Sequence, residues 1–340
     1  MLTTNYTSAP PDIYSLRAST PERLLLVVWS VLILIICLPG NALILVASIQ
    51  HQAIKLDNIS VILIRNIAAA DVIYAVFVAL SSITSMVADT WVLGQFLCNL
   101  TPAAMYVSAL ASTEMICALN ICKLTWLLSP LRSRTRTKRA GHILASALWF
   151  WSCFVFASTA IGFFLNTGSW QYRYRPSVLR CDFTFATSVE NHPAGNTVSV
   201  LTIIFLLTPI LVIMTTTVIL ACFLKKVNRM NRNSLLTLLL ISSVFCVSWL
   251  PVTVYNFIMA TASNLEYKVY ADYLVYLYRF SVFVIYLNIA ANPLIYMATI
   301  PSFRKFVKSL LNRYTRARVG VFVPPIIVAK SETEATSVQR

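Results

Sequence analysis

The sequence predicts an all-α integral membrane protein, a bundle of seven transmembrane helices followed by a short amphipathic interfacial helix. Three observations carry that expectation. Only 11% of the 340 residues are charged while 58% are hydrophobic, which leaves too little polar surface to coat a soluble domain. The apolar residues gather into seven runs, each long enough for a spanning helix, which takes about 20 residues to cross roughly 30 Å of hydrocarbon. The basic residues collect in alternate connections, as the positive-inside rule requires.

The first run, Leu24 to Ile49, contains no charged residue, and the others lie near 59–85, 96–128, 141–165, 197–224, 235–261 and 271–299. Helices are expected because lipid forces every backbone polar group to pair internally. A closed barrel would show short alternating segments instead. The residues before Leu24 are polar, with Pro10, Pro11 and Pro21 and no apolar stretch, so the first span is expected to act as the insertion signal.

Orientation follows from the Lys and Arg distribution. With the amino terminus outside, the loop after span three holds Arg132, Arg134, Arg136, Lys138 and Arg139, and the loop after span five, about ten residues long, holds Lys225, Lys226, Arg229 and Arg232. The tail adds Arg304, Lys305, Lys308, Arg313, Arg316 and Arg318. Only seven of the 27 basic residues, Arg17, Arg23, Arg173, Arg175, Arg180, Lys268 and Arg279, then lie outside. The expected location is the plasma membrane, amino terminus extracellular and carboxyl terminus cytoplasmic. The net charge of +15 reads as this asymmetry plus attraction to anionic lipid heads, not as a nucleic-acid surface.

Four segments follow: an outer tail at 1–22, a seven-span domain at 23–300, an interfacial helix at 301–313 and a cytoplasmic tail at 314–340. The tail from Ser331 is rich in Ser, Thr and Glu and reads as disordered, with Ser331, Thr333, Thr336 and Ser337 as phosphate acceptors or simply solvated residues. Asn5 opens an outer sequon; those at Asn58 and Asn99 fall inside or against a span end. In the longest outer loop, Gln171 to Arg175 alternates, Pro176-Ser177 breaks, and Val178 to Phe185 resumes, the pattern of a hairpin. After span seven, Phe303 to Leu311 sets apolar and basic residues at helical spacing, which places that stretch in the interface of the bilayer.

Of eight cysteines, the topology leaves only Cys98 and Cys181 in the oxidising outer compartment, and a bridge between them would tie span three to the outer loop. The alternative is two free outer thiols. Asp71 lies in the middle of span two, where a carboxylate is costly without a polar cavity or partner. Asn41, Ser112, Asn288 and Asn292 are polar residues on other spans that could meet it; interhelical hydrogen bonding of about 1 kcal/mol per pair is the plainer role. Glu114 stands roughly 200° around the helix from Ser112 and needs a structural partner on span four or five. Pro209, Pro251 and Pro293 each interrupt a span and kink it.

These residues together carry a resemblance. Gly40-Asn41, Asn66 to Asp71, Trp91 and Gly94 before Cys98, Trp149, Pro209, Phe245 with Ser248-Trp249-Leu250-Pro251, and Asn292-Pro293-Leu294-Ile295-Tyr296 resemble the rhodopsin-like G-protein-coupled receptors over about residues 24–312. The resemblance implies that Trp249 is the rotamer-sensitive floor of a ligand pocket. It also implies that Asn292 to Tyr296 rearrange as span six swings outward, and that Asp71, Ser112, Asn288 and Asn292 hold a sodium ion. Ile289 stands where that family usually carries a small hydroxyl residue. The inner end of span three departs further: Cys122-Lys123-Leu124 occupies the Asp-Arg-Tyr position, supported by 25 residues from Cys98 to Lys123. Thr217 replaces the family's span-five tyrosine. Lys123 keeps a charge but lacks the planar fork of Arg, so the inactive state is expected to be less locked and the active state less braced.

The same resemblance bears on the ligand. Met105 replaces the aspartate of amine receptors, and no lysine lies between Lys268 and Lys305 to hold retinal; no cofactor is expected beyond the sodium ion. Met105, Ser108, Ala109, Trp249, Thr253, Asn256, Arg279, Phe283 and Tyr286 define a mostly apolar pocket by helical spacing. Arg173, Arg175, Arg180 and Arg279 could meet an acidic group on a peptide or lipid mediator, or be solvated charges. The expected partners are an extracellular ligand, a heterotrimeric G protein, arrestin and the bilayer. A scavenger or arrestin-biased receptor of the same fold is the near alternative. A transporter would show repeats and ionisable residues along one path, which Asp71 and Glu114 do not form. An enzyme would need a catalytic cluster, and His51, His142 and His192 are scattered over loops and span ends.

Overall fold

The computed structural model describes residues 19–50, 54, 56–129, 137–167, 172–176, 179–183, 193–225, 229–261 and 264–318. Helix α1 spans Thr20–Ile49, α2 Asn58–Ala88, α3 Gly94–Leu128 and α4 Lys138–Thr167. A two-stranded hairpin follows, β1 Tyr172–Arg175 and β2 Arg180–Phe183, and then α5 Pro193–Phe223, α6 Arg229–Thr261, α7 Asn264–Thr299 and α8 Pro301–Arg318. The seven long helices match the seven predicted runs. Six contain a full apolar span, and Leu207–Phe223 is the apolar part described in α5. Asn5, the tail from 319 onward and the loop residues Arg132, Arg134 and Arg136 lie outside the described residues, as do the side chains of Arg173 and Arg175.

The helices start and stop on local chemistry. Ser19 precedes α1, its backbone N–H donating to the Glu22 carboxylate at 2.8 Å, and Pro21 occupies the first turn, where its missing donor costs nothing. Asp57 caps α2 by accepting from Ser60 N at 2.9 Å. Gly94 opens α3 at φ 76°, a conformation open to glycine without strain, while Trp91 donates its indole N–H to the Gly94 carbonyl at 2.8 Å. Besides the three prolines singled out in the sequence, Pro39 and Pro102 also lie inside helices. Helix α6 already begins at Arg229, so Arg229 and Arg232 belong to its first turn and the α5–α6 connection is shorter than expected.

Helix α1 packs on α2 and α7, α2 on α3 and α4, α3 on α4 and α5, α5 on α6, and α6 on α7. The ring encloses Ile44, Leu63, Ile67, Met115, Ile116, Ile213, Phe245, Tyr286 and Tyr296. Large apolar side chains such as Phe96, Phe150, Val218, Val247 and Leu294 point outward and are exposed. A soluble protein rarely shows such a continuous apolar exterior; hydrocarbon is its solvent. At the inner end, Phe303 and Val307, four residues apart on α8, pack into the same core. Arg304 turns back to donate to the Met297 and Ala298 carbonyls at 2.9 and 2.6 Å, closing α7. Helix α8 runs to Arg318, past the predicted end at 313.

Candidate functional site

The hairpin shapes one mouth of the bundle, the end expected to face outward. Tyr172 pairs with Phe183, Arg173 with Asp182, Tyr174 with Cys181 and Arg175 with Arg180 in an antiparallel ladder. The expected bridge between Cys98 and Cys181 is present. It fastens β2 to the top of α3, and Cys98, Cys181, Tyr172 and Ala160 form a small outer core. Because Arg180 precedes the tethered cysteine, its side chain is carried over the bundle and buried. There its guanidinium donates to the hydroxyls of Tyr286 at 3.2 Å and Tyr278 at 3.4 Å. Tyr255 lies against Tyr278, ring centroids 5.0 Å apart.

Below this, a small cavity is lined by Ala70, Asp71 and Tyr74 of α2, Ser108, Ala109 and Ser112 of α3, Phe245 and Trp249 of α6, and Ile285, Asn288 and Ile289 of α7. It has room for about one water-sized species. Asp71 is 3% exposed and accepts from Asn292 Nδ2 at 2.7 Å. Ser112 is directed at the same carboxylate without completing a hydrogen bond; its Oγ, Asn288 Oδ1 and Trp249 Nε1 are all buried without a partner. Buried polar atoms are rarely left so. Three orphans in a cavity lined by one carboxylate mark a place for a small polar guest; the Ser112 and Asn288 oxygens are of the kind that ligate hard cations, whereas the Trp249 N–H can only donate.

The sequence-predicted residues divide at this point. Ser108, Ala109 and Trp249 line the cavity with Asp71, Ser112 and Asn288, and Met105 is buried in the adjoining core. Thr253 and Asn256 lie further along α6; Thr253 donates its hydroxyl to the Trp249 carbonyl at 2.8 Å. Tyr286 meets Tyr74 edge to face, ring centroids 6.3 Å apart. Arg279 and Phe283 are turned away from the cavity. Arg279 forms an ion pair with Glu22 of α1 at 3.0 Å, and Phe283 stacks on Trp29 of α1 at 4.3 Å. Expected as pocket residues, both fasten α7 to α1, because α7 presents that face to its neighbour in the ring. Ala70, Tyr74, Phe245 and Ile285 were missed as lining residues. Tyr74 lies one turn beyond Asp71 and Ile285 one turn before Ile289, so helical spacing contained the signal.

Asn41 does not reach the Asp71 carboxylate. Its amide donates to Cys37 O and Sγ at 3.1 and 3.2 Å, and the Cys37 thiol faces the Asp71 carbonyl at 3.7 Å. Glu114 has its carboxyl directed at the Trp151 indole of α4 without completing a hydrogen bond. Trp149 donates to Asn66 Oδ1 at 3.1 Å, joining α4 to α2.

At the inner end, Lys123 is buried and lies over the Trp126 ring of its own helix, 4.8 Å from the centroid. Among the described residues it makes no hydrogen bond or salt bridge, and the carboxylate whose charge acts on it is Asp57 at the start of α2. Cys122 and Leu124 flank it, partly buried against the core. Thr217 instead meets Asn120 of α3, at 3.4 Å. Pro251 and Pro293 lie within α6 and α7, and the Tyr296 hydroxyl is buried without a partner.

Seven membrane-length helices, a disulfide-tethered outer hairpin, a buried Asp71–Asn292 pair below a Trp249 floor, and an interfacial eighth helix define a heptahelical receptor. The model of the seven-transmembrane receptor (rhodopsin family) matches residues 40–296, and the chain belongs to that family, whose members are signalling receptors and not enzymes. It is 24% identical over 291 residues to galanin receptor 2a of Danio rerio, covering 82% of this chain and 76% of that protein. It is 25% identical over 282 residues to melatonin receptor type 1C of Xenopus laevis, covering 80% and 64%. Somatostatin receptor type 5 of Rattus norvegicus is 24% identical over 291 residues, covering 83% and 77%.

Proposed function

We propose that this chain binds an extracellular non-amine ligand, a peptide or a lipid mediator, and passes the signal to a heterotrimeric G protein. The observation that carries this reading is the stacked arrangement under the hairpin. Arg180 and its tyrosines sit above a cavity whose floor, Trp249 on Phe245 with ring centroids 5.7 Å apart, adjoins Asp71 and Asn288. A ligand pressing on Trp249 thus acts on α6 and on the polar centre that joins α2 to α7. The relatives support a peptide class, most being peptide receptors, and Met105 leaves no carboxylate for an amine. Asp71, Ser112 and Asn288 would hold a sodium ion, whose charge would stabilise the resting arrangement. The orientation proposed is amino terminus outside, with Asn5 glycosylated and α8 followed by a cytoplasmic tail from 319.

The test is a screen of peptide and lipid-mediator fractions on intact cells, reading G-protein dissociation and arrestin recruitment in parallel. The expected hit triggers dissociation and loses potency in Trp249→Ala. Ligand uptake or arrestin recruitment without dissociation would favour a scavenger or arrestin-biased receptor. The observation behind that second reading is Lys123 held over Trp126, with Cys122 in place of an acidic neighbour.

A further inference from the structure

The inner half of α6 is held to its neighbours by neutral side chains. Asn120 of α3 and Ser242 of α6 are both fully buried. The Asn120 amide lies edge-on to the Ser242 hydroxyl, Nδ2 donating to Oγ at 3.0 Å and Oγ facing Oδ1 at 3.1 Å. The same Nδ2 donates to Thr217 Oγ1 of α5 at 3.4 Å. One amide therefore joins three helices and leaves none of its polar atoms orphaned. On the other flank of α6, the Thr237 hydroxyl lies 2.7 Å from that of Thr299 at the end of α7, again buried. Lys123, one turn from Asn120, takes no part, being folded over Trp126.

Resting on the receptor reading above, we infer that Asn120, Ser242 and Thr217 form a neutral three-helix clasp that holds α6 closed, in place of the charged restraint this chain lacks. Ser242 lies nine residues inward of Pro251, about 13 Å along the helix at 1.5 Å per residue. A tilt of about 10° at that proline displaces Ser242 by roughly 2 Å, past the reach of either bond. Opening therefore strands the Asn120 oxygen and the Ser242 hydroxyl in an apolar interior until water or a partner arrives, and that transient loss opposes the swing. Replacing both groups by apolar side chains removes the stranded atoms and with them the bias. Replacing one leaves its partner unsatisfied in the closed state as well.

The test is a distance measurement on the full chain in lipid nanodiscs, with spin labels at Leu128→Cys and Arg232→Cys, both exposed at the inner ends of α3 and α6, and Cys153→Ser and Cys222→Ser as background. Ser242→Val is expected to raise the open population roughly fivefold, the scale of one interhelical hydrogen bond. Thr217→Val should raise it less, because its bond is longer. Asn120→Leu combined with Ser242→Val should stay more open than the wild type, since no clasp bond remains, yet less open than Ser242→Val alone, since no Asn120 amide is left unpaired in the closed state. Unchanged distances in Ser242→Val and Thr217→Val, or a double variant as open as Ser242→Val alone, would overturn the clasp. If Ser242→Val fails to reach the membrane, Thr217→Val decides the matter by itself. Distances that widen as expected without G-protein activation in cells would leave the clasp standing and defeat the coupling reading instead.

Discussion

Asp71 and Glu22 show how place decides what a carboxylate does. Asp71 is enclosed by four helices, gives one oxygen to Asn292 at 2.7 Å, and faces two orphaned oxygens at Ser112 and Asn288. A cation there would be held by carboxylate, hydroxyl and amide oxygens together. Sodium chloride is therefore expected to raise the unfolding temperature of the purified receptor above that in choline chloride, by the equivalent of about 1.4 kcal/mol at ten times the dissociation constant. Asp71→Asn should abolish the difference while folding normally. A sodium effect that survives Asp71→Asn would place the ion elsewhere. Glu22 pairs with Arg279 at 3.0 Å but is partly open to solvent. Exposed pairs contribute about 1 kcal/mol or less, and Glu22→Gln should lower stability by no more than that in a thermal melt.

Between helices, closeness of approach decides cost. A Cβ added at Gly40 of α1 would stand 2.6 and 2.7 Å from the Pro293 ring of α7, which is fixed to its backbone and cannot swing aside. Gly40→Ala should destabilise by about 1–3 kcal/mol, the scale of overpacking, and displace α7 at its kink. At Gly141 of α4 the obstacle is the Cδ1 of Ile62, 2.8 Å away, the free end of a flexible chain. Gly141→Ala should cost under about 1 kcal/mol. Comparable thermal shifts for the two alanines would show that the α1–α7 approach is not rigid. The clamp at Gly40 also accords with the outer contacts between the same helices, Arg279 with Glu22 and Phe283 on Trp29. Together they make α7 a helix held firmly by α1.

For the molecule as a whole, the helix count, the hairpin and the disulfide were legible in the sequence, because membrane spans are long, uninterrupted and chemically uniform, and because the expected topology left two cysteines on one side. The polar centre was legible for the reason that a carboxylate in hydrocarbon demands partners: Asp71, Ser112, Asn288 and Asn292 do converge. Rotational setting was less legible. Arg279 and Phe283 share a helical stripe with Tyr286 but lie far enough around α7 to face α1, and a small change of azimuth moves a side chain from the pocket to a helix interface. Asn120 and Ser242 carried no signal at all, since a single Asn or Ser in an apolar run reads the same whether it pairs across helices or with its own backbone. Loss of the Cys98–Cys181 bridge should show at this scale too. With a sequence separation of 83 between the cysteines, Cys98→Ser is expected to cost about 4.5 kcal/mol by loop entropy and to reduce folded receptor at the cell surface.

A competent receptor whose charged inner lock has been replaced by a weaker one should reveal itself in ligand-free G-protein dissociation, measured in cells at matched surface expression. Wild type is compared with mock-transfected cells and with Cys122→Asp, Lys123→Arg and Thr217→Tyr combined. Wild-type dissociation above the mock level is the expected result. Silence of the wild type beside activity of the combined variant would contradict it, showing that the changes at Cys122, Lys123 and Thr217 abolish coupling instead of loosening the resting state.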